Sequence, residues 1–200
     1  MDYRIVLYTQ RVDVVESYGE RRDCADQNIP RFLSACGYLP VPVPNIRDTV
    51  VEMVRQLGPA GIVLTGGNSL VKYGGDAPER DEMEKSILEL AAARNIPVFG
   101  FCRGMQVVLD FFGCSLKDVQ GHVAVRHSVR GQMGGAIVNS YHRQACFHVK
   151  EPLYVLAEAE DGAAEAVGCR QARIFACMWH PERESPFAEP DMQRVRRLFG

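Results

Sequence analysis

The chain has 200 residues, of which 46% are hydrophobic and 24% charged, and its formal net charge is −2 at pH 7. This length and composition are typical of one globular domain with a well-formed core. The small net charge argues against a nucleic-acid or polybasic membrane-binding role, so we expect no nucleic acid and no membrane among its partners. No window approaches the run of about 18 apolar residues that a transmembrane helix needs.

The start of the chain and its cysteines both indicate a reducing compartment. The opening "MDYRIVLYTQR" lacks the cationic stretch and long apolar region of a signal peptide. The seven cysteines are scattered, and no two have CxxC spacing. We therefore expect reduced thiols and a cytoplasmic location.

The first part of the chain alternates predicted strands and helices. An apolar β run covers Arg4–Tyr8, and a helical region lies within 23–36, where Pro30 either kinks the helix or marks its start. The proline-rich "YLPVPVPN" predicts an extended segment, and a helix is predicted over Arg47–Leu57.

The same alternation continues to residue 112. The continuous apolar run 61–65 is typical of a parallel strand covered on both faces. Residues 79–94 have apolar positions on one face and predict a helix. A strand over 96–101 and a helix over 104–112 follow. Strands joined by helices predict a parallel sheet with right-handed crossovers.

The second half of the chain predicts short strands separated by turn-rich segments. These strands are predicted at 123–129, 136–138, 146–149, 153–157, 165–167 and 173–178. A final helix is predicted over 192–199. The predicted fold class is α/β, a doubly wound and mainly parallel sheet with a small antiparallel extension.

The segment from Gly100 to Gly104 joins a predicted strand to a predicted helix as G-x-C-x-G, the cysteine counterpart of a nucleophile elbow. Such a sharp turn strains the backbone of Cys102, and the glycines leave room for neighbouring main chain. The thiol would lie at a helix N-terminus, whose partial positive charge favours the thiolate. The first-turn amide of Arg103 can donate to an oxyanion. Taken alone, the pattern also fits a buried structural cysteine.

A cysteine hydrolase also needs a base and a group that orients the base. Among the five histidines, His180 follows a β-rich run and precedes the carboxylate of Glu182 by two residues. If residues 178–182 are extended, both side chains point the same way. Alone, this His-Pro-Glu segment is also an ordinary structural loop. The segment "LTGGN" at 64–68 follows a strand and can present a main-chain N–H as an oxyanion donor.

Together, "GFCRGMQ", "MWHPE" and "LTGGN" resemble the class I glutamine amidotransferases. More narrowly, they resemble the γ-glutamyl hydrolase branch of that family, peptidase family C26. The resemblance implies a flavodoxin-like fold and one class I glutamine amidotransferase-like catalytic domain over 1–200. It implies no cofactor and no metal.

The resemblance implies a role for each matching position. Cys102 would be the nucleophile that forms a γ-glutamyl thioester, His180 would act as general base and then acid, and Glu182 would orient His180. The main-chain amides of Gly67 and Arg103 would form the oxyanion hole.

Substrate contacts are implied in the same way. Gln106 matches the glutamine that contacts the glutamyl moiety. The segment "VNSYHRQ" resembles the branch's VNS-x-H-x-Q segment. This implies substrate contacts from Asn139, Ser140, Tyr141 and His142. A surface loop and a solvated glutamine are the structural alternatives.

The opening segment and the ending "MWHPERE" resemble small bacterial hydrolases that release glutamate from γ-glutamyl-CDP-amidate in capsule phosphoramidate synthesis. Such a small-molecule substrate carries a pyrophosphate, which cations near predicted loops would attract. The candidate cations are Arg11, Arg21, Arg22, Lys72, Arg126 and Arg143.

Three functions remain as alternatives. The first is a stand-alone γ-glutamyl hydrolase, which the combined motifs favour. The second is an amidotransferase subunit that feeds ammonia to a synthase partner. The third is a non-catalytic binding or redox-sensing domain, which would be expected to lack one of the three catalytic side chains. The sequence leaves a homodimer open.

Overall fold

A computed structural model describes residues 4–200 of the chain, and a nine-stranded sheet forms its centre. Its helices are α1 (Asn28–Ala35), α2 (Arg47–Leu57), α3 (Pro78–Arg94), α4 (Arg103–Phe111) and α5 (Glu189–Phe199). Its strands in the first half are β1 (Arg4–Tyr8), β2 (Arg11–Val15), β3 (Glu20–Cys24), β4 (Tyr38–Pro42), β5 (Gly61–Leu64) and β6 (Val98–Phe101). The later strands are β7 (Lys117–Asp118), β8 (Val123–Arg130), β9 (Ala136–Tyr141), β10 (Gln144–Ala145), β11 (Leu153–Ala159), β12 (Ala164–Cys169) and β13 (Ile174–Cys177).

The strand order in the central sheet is β4-β1-β5-β6-β13-β12-β11-β8-β9. Five neighbouring strands, β4, β1, β5, β6 and β13, are parallel to one another. The sheet continues in antiparallel pairs through β12, β11, β8 and β9. This confirms the predicted α/β class with its mainly parallel sheet and antiparallel extension. Two small antiparallel pairs, β2 with β3 and β7 with β10, lie outside the central sheet.

Helices cover both faces of the parallel region. Apolar residues of α2, α3 and α4, such as Val54, Ile87 and Val108, join the core on one face. Phe32 of α1 and Phe199 of α5 join the core on the other face. Because both faces are covered, every residue of β5 and β6 is buried, which explains their continuous apolar sequences.

One predicted strand is corrected, one hairpin was missed, and the start of one helix is now defined. The predicted strand at 146–149 does not form, and β10 covers only Gln144–Ala145. Cys146 is buried in the core, so its segment is apolar because it packs there and not because it pairs with a strand.

The hairpin of β2 and β3 was missed because its second strand, "ERRDC", is largely charged and exposed. The helix predicted within 23–36 begins at Asn28, so Pro30 lies in its first turn.

In the described part of the chain, no helix combines the length and the apolar character that crossing a bilayer requires. The parallel strands β5, β6 and β13 end at the same edge of the sheet. That edge is where open α/β sheets bind ligands.

Candidate active site

Cys102 occupies the junction between β6 and α4. Its φ of 52° and ψ of −112° are strained for a residue that is not glycine. Its main-chain N–H donates to the carbonyl of Cys177 at 2.8 Å, which ties the turn to β13. The residue is 9% exposed, at the carboxyl edge of the sheet. The backbone therefore has the strained strand-to-helix turn that the sequence predicted.

The glycine after Cys102 permits a close approach of two main-chain segments. A Cβ atom on Gly104 would lie 2.0 Å from the carbonyl oxygen of Leu64 in β5. A Cβ atom on Gly100 would lie 2.9 Å from the carbonyl carbon of Gly104. Helix α4 thus packs against the ends of β5 and β6 with no space for a side chain.

His180 and Glu182 form a buried hydrogen-bonded pair. His180 Nδ1 donates to Glu182 Oε1 at 2.6 Å, and the two residues are 3% and 2% exposed. The extended geometry expected for residues 178–182 is wrong, because Pro181–Arg183 forms a turn of 3₁₀ helix. This turn brings the carboxylate back to the imidazole, so the two side chains meet for a different reason than strand alternation.

The imidazole of His180 faces the thiol of Cys102. A Cβ atom built on Gly66 would lie 2.9 Å from Cε1 of His180 and 3.5 Å from Cβ of Cys102, so the three residues converge. Burial alone lowers the pKa of His180, but the charge of Cys102 and hydrogen bonds with Cys102 and Glu182 raise it to about 9. This shift favours the protonated imidazolium form of His180 near neutral pH.

Arg80 organises the loop that follows β5. Its guanidinium is fully buried and donates to the carbonyls of Thr65, Gly66 and Gly67 at 2.5–3.1 Å. In a trans peptide unit, the C=O of one residue and the N–H of the next point in opposite directions. Because the Gly66 carbonyl points at Arg80, the N–H of Gly67 points away from Arg80. Gly66, Gly67 and His180 line the same cavity.

The charge of Arg103 is directed into the interior. Its guanidinium is 1% exposed and forms ion pairs with Glu84 and Asp81. Glu84 also accepts hydrogen bonds from Arg80 at 3.0 Å and from Thr9 at 2.7 Å. An oxyanion beside Cys102 would therefore meet the main-chain amide of Arg103 and not its side chain. The same network joins α4 to Gly66 and Gly67 in the loop after β5.

A cavity of about 390 Å³ opens over this edge of the sheet. Besides the glycine loop and His180, its lining includes two cations, Arg11 and Arg183. Arg11 pairs with Asp13 at 2.9 Å and is half exposed. Arg183 was not singled out in the sequence, although it follows Glu182 directly. Its guanidinium lies 4.4 Å from the ring centroid of Tyr141.

Four of the other five candidate cations form ion pairs, and none of the five lines this cavity. Arg21 pairs with Glu79 and Lys72 pairs with Asp110, each at 2.6 Å. The remaining pairs join Arg22 to Glu20 at 2.7 Å and Arg126 to Glu184 at 2.9 Å. Arg143 is exposed after β9. Of the six candidates, Arg11 is therefore the one that the structure brings to the cavity.

Three of the five residues expected to contact substrate have partners inside the protein. Gln106 is buried and donates to the carbonyl of Gln144 at 3.2 Å. Ser140 is fully buried and donates to the carbonyl of His122 at 2.7 Å. His142, also buried, lies 3.2 Å from a carboxylate oxygen of Glu165. In this structure the three side chains are thus held by internal partners.

The other two residues expected to contact substrate, Tyr141 and Asn139, lie against His180. Tyr141 is 42% exposed, and its ring meets the imidazole edge to face at 5.6 Å between centroids. Asn139 is buried and hydrogen-bonded to both the N–H and the carbonyl of His180. The resemblance implied that Asn139 contacts substrate, whereas its observed contacts hold the backbone of His180. No periodicity in the sequence would have indicated this role.

Comparisons with known proteins bear on the family and the fold of the chain. A family model described as glutamine amidotransferase class-I matches residues 22–195. The gamma-glutamyl-CDP-amidate hydrolase of Campylobacter jejuni is 30% identical over 180 residues, covering 88% of this chain and 89% of that protein. A gamma-glutamyl-gamma-aminobutyrate hydrolase of Escherichia coli is 30% identical over 199 residues, covering 78% of each chain.

A solved structure shows a similar fold. The crystal structure of a Thermoplasma acidophilum protein assigned as a GMP synthase subunit matches with a TM-score of 0.74 and 19% identity, covering 100% of this chain and 94% of that chain. At this identity the match bears on the fold alone. Since the family model spans most of the sequence and the fold agrees, the chain belongs to the class I glutamine amidotransferase family.

Proposed function

We propose that the protein is a cysteine-dependent γ-glutamyl hydrolase that releases glutamate. The observation that carries the proposal is the buried convergence of Cys102, His180 and Glu182 beside an open cavity. The strained turn at Cys102 and the raised pKa of His180 suit a nucleophile and its acid–base partner. The proposed catalytic domain is the whole of residues 1–200.

The proposed reaction has two steps. The thiolate of Cys102 attacks the γ-carbonyl carbon, and the amides of Gly67 and Arg103 stabilise the oxyanion. The imidazolium of His180 protonates the leaving nitrogen, and a γ-glutamyl thioester remains. His180 then takes a proton from water, hydroxide attacks the thioester, and glutamate leaves as the thiolate is restored. Glu182 holds the imidazole tautomer throughout.

We propose γ-glutamyl-CDP-amidate as the substrate, with cytidine diphosphoramidate as the second product, as in capsule phosphoramidate synthesis in the cytoplasm. Similarity to the Campylobacter jejuni hydrolase supports this choice. So do the two guanidinium groups of Arg11 and Arg183 in the cavity lining, because arginine recognises phosphate oxygens well. The γ-glutamyl-γ-aminobutyrate hydrolases differ in the leaving group, which in their case carries no phosphate.

A glutaminase subunit that delivers ammonia to a synthase partner is the second candidate. The family match favours it, because class I glutamine amidotransferases use the same γ-glutamyl thioester chemistry. In that case glutamine would be the substrate and a partner protein would cover the edge of the sheet that carries Cys102.

Glutamate release from a panel of substrates tests the proposal. The panel contains glutamine, γ-glutamyl-γ-aminobutyrate, a folate polyglutamate and γ-glutamyl-CDP-amidate. We expect the highest kcat/KM with γ-glutamyl-CDP-amidate, a loss of several orders of magnitude in Cys102→Ala, and little change in the control variant Cys169→Ser. Near-normal turnover by Cys102→Ala would contradict the mechanism. A preference for glutamine that arises only with a partner protein would support the second candidate instead.

A further inference from the structure

Three histidines and one glutamate form a second cluster of polar side chains, which the proposed reaction does not use. His122 precedes β8, His127 lies in β8, His142 follows β9 and Glu165 lies in β12. Glu165 is fully buried, and His122 and His142 are 5% and 3% exposed. The four side chains, called here the histidine cluster, lie between the β8–β9 hairpin and β12.

The spacing of the cluster atoms matches the coordination shell of a small cation. His122 Nδ1 and His142 Nε2 are 3.3 Å apart, and they lie 3.4 Å and 3.2 Å from Glu165 Oε1. His127 Nε2 lies 3.4 Å from Glu165 Oε2, and one ligand atom each from His122, His127 and Glu165 lie within 4.8 Å of one another. Ligands about 2.0–2.2 Å from a tetrahedral Zn²⁺ are themselves about 3.3–3.5 Å apart.

Hydrogen bonds outside the cluster fix the tautomers of two imidazoles. His122 Nε2 lies 3.1 Å from Asp161 Oδ2, and His142 Nδ1 lies 3.2 Å from the carbonyl of Gln144. Carboxylate and carbonyl oxygens only accept hydrogen bonds, so both outer nitrogens carry the proton. When both rings are neutral, His122 Nδ1 and His142 Nε2 direct lone pairs toward each other and toward Glu165. Such an arrangement is satisfied by a proton or by a metal ion between these atoms, and the metal ion suits the outer hydrogen bonds of both rings.

The carboxylate of Glu165 is buried 3.2–3.4 Å from three imidazole nitrogens of the cluster. Neither of its oxygens has a hydrogen bond of good geometry, and the same is true of His127 Nε2. A buried carboxylate without a partner costs several kcal/mol, and groups of this kind are found paired or bound to a metal. The unpaired atoms point into the same small volume that the histidine lone pairs face.

We propose that His122, His127, His142 and Glu165 bind one divalent transition-metal cation, with Zn²⁺ as the best match. Neutral imidazole nitrogens and a carboxylate oxygen are ligands that zinc favours. Asp161 and the Gln144 carbonyl orient two of the imidazoles, as outer partners do at known zinc sites. This assignment departs from the expectation of no metal and is independent of the proposed hydrolysis.

The proposed ion is structural. His122, His127 and Glu165 supply three ligands, and with His142 as the fourth a tetrahedral shell keeps no position for water or substrate. The ion would fasten the hairpin to β12, because the three histidines lie in or beside the hairpin and Glu165 lies in β12. Within the hairpin region, His142 N–H and Ser140 both donate to the carbonyl of His122. Asn139, next to Ser140, holds His180. Metal binding would thus stabilise the support of the base without contacting substrate.

Metal binding is measured directly, in a Cys102→Ser background that excludes binding by the reactive thiol. The purified chain is stripped with a chelator, titrated with Zn²⁺, and analysed for metal content by mass spectrometry. We expect about one equivalent of zinc and a rise in Tm on binding. Substitution by Co²⁺ should give the strong visible absorption of a tetrahedral site and no thiolate charge-transfer band.

Variants locate the ion. We expect Glu165→Gln and His127→Gln to weaken zinc binding by more than about 100-fold, and Asp161→Asn to weaken it by about 10–100-fold. Asp161 is 42% exposed, so its variant reports on the site even if a buried substitution prevents folding. His148→Asn replaces an exposed histidine outside the cluster and should bind zinc like the parent.

Three outcomes would overturn the proposal. The first is a folded parent protein that binds no zinc, because the cluster would then be held by protons alone. The second is unchanged affinity in both His127→Gln and Asp161→Asn, which would place the metal elsewhere. The third is binding that requires Cys102. None of these measurements depends on glutamate release. The test of the metal site therefore remains valid even if the proposed hydrolysis is wrong.

Discussion

Asn139 holds the main chain of His180 on both sides of its Cα atom. The side-chain oxygen of Asn139 accepts from the N–H of His180 at 2.8 Å, and its amide nitrogen donates to the carbonyl of His180 at 2.8 Å. The same nitrogen donates to Glu184 Oε1 at 2.8 Å. The imidazole is thus positioned through its backbone by a residue of the antiparallel extension.

Replacement of Asn139 by aspartate tests this positioning role. Asn139→Asp keeps an acceptor for the His180 N–H but removes the donor to the carbonyl and places a negative charge beside Glu184. We expect kcat to fall by at least about 10-fold, because a slightly displaced base is a poor base. KM should change little, and the pH profile of kcat should shift. An equal loss confined to KM would instead assign Asn139 to substrate binding.

The raised pKa of His180 predicts how stability depends on pH. The pKa is about 9 in the folded chain against an ordinary 6.5, so the folded state binds the proton more tightly than the unfolded state. This stabilisation is complete below pH 6.5 and is lost as the pH rises through about 9. Among the effects that raise the pKa, the charge of Cys102 ranks first, so the pKa of His180 should fall in Cys102→Ser. NMR titration of the imidazole in both proteins measures the difference; identical titration curves would contradict the prediction.

Arg80 should be important for both stability and activity. Arg80→Met removes the donors to three loop carbonyls and leaves them unsatisfied inside the protein. Breaking a buried charged network in this way costs about 3–5 kcal/mol, and the loop that presents the Gly67 amide should lose its geometry. Urea denaturation and kcat measure the two effects. Arg55→Ala, in an exposed pair with Glu52 on α2, is the control and should leave both values close to those of the parent. A loss below about 1 kcal/mol in Arg80→Met would contradict the assigned role.

Gly104 should tolerate no side chain. A Cβ atom there would lie 2.0 Å from the Leu64 carbonyl, so Gly104→Ala must displace α4 and with it Cys102. We expect a loss of about 1–3 kcal/mol in stability and at least about 100-fold in kcat. Gly135→Ala is the matched control, because its nearest neighbouring atom would be 3.9 Å away. Parent-like kinetics in Gly104→Ala would show that the close approach is not needed.

The sequence predicted the local features of the site better than it predicted the residues that hold the site in place. The elbow at Cys102 could be predicted because strand, glycines and helix are consecutive in the chain. His180 and Glu182 could be paired because they are two residues apart, although the turn that joins them is 3₁₀ and not extended. The resemblance to a known family supplied the roles that spacing alone left open.

The residues that hold the site in place act on partners that are distant in the chain. Asn139 acts on His180, which lies 41 residues later, and no local pattern encodes that contact. Arg80 and Glu84 carried a weak signal, because two opposite charges four residues apart share the apolar face of α3 with Met83 and Ile87. A charged pair in that position indicates a buried network. The loop carbonyls that Arg80 binds could not be inferred from this spacing.

The strands that lead to Cys102 and His180 and the hairpin that forms part of the cavity wall belong to different sheets. Phe101 pairs with Cys177, so the strands that lead to Cys102 and His180 are locked side by side within the sheet. The β2–β3 hairpin, which contributes Arg11, Asp13 and Cys24 to the cavity wall, lies outside that sheet. Exchanging this hairpin between relatives would therefore change which amine fits the cavity while the distance between thiol and imidazole stays fixed. The fold thus keeps the part of the cavity wall formed by β2 and β3 separate from the strands that lead to Cys102 and His180.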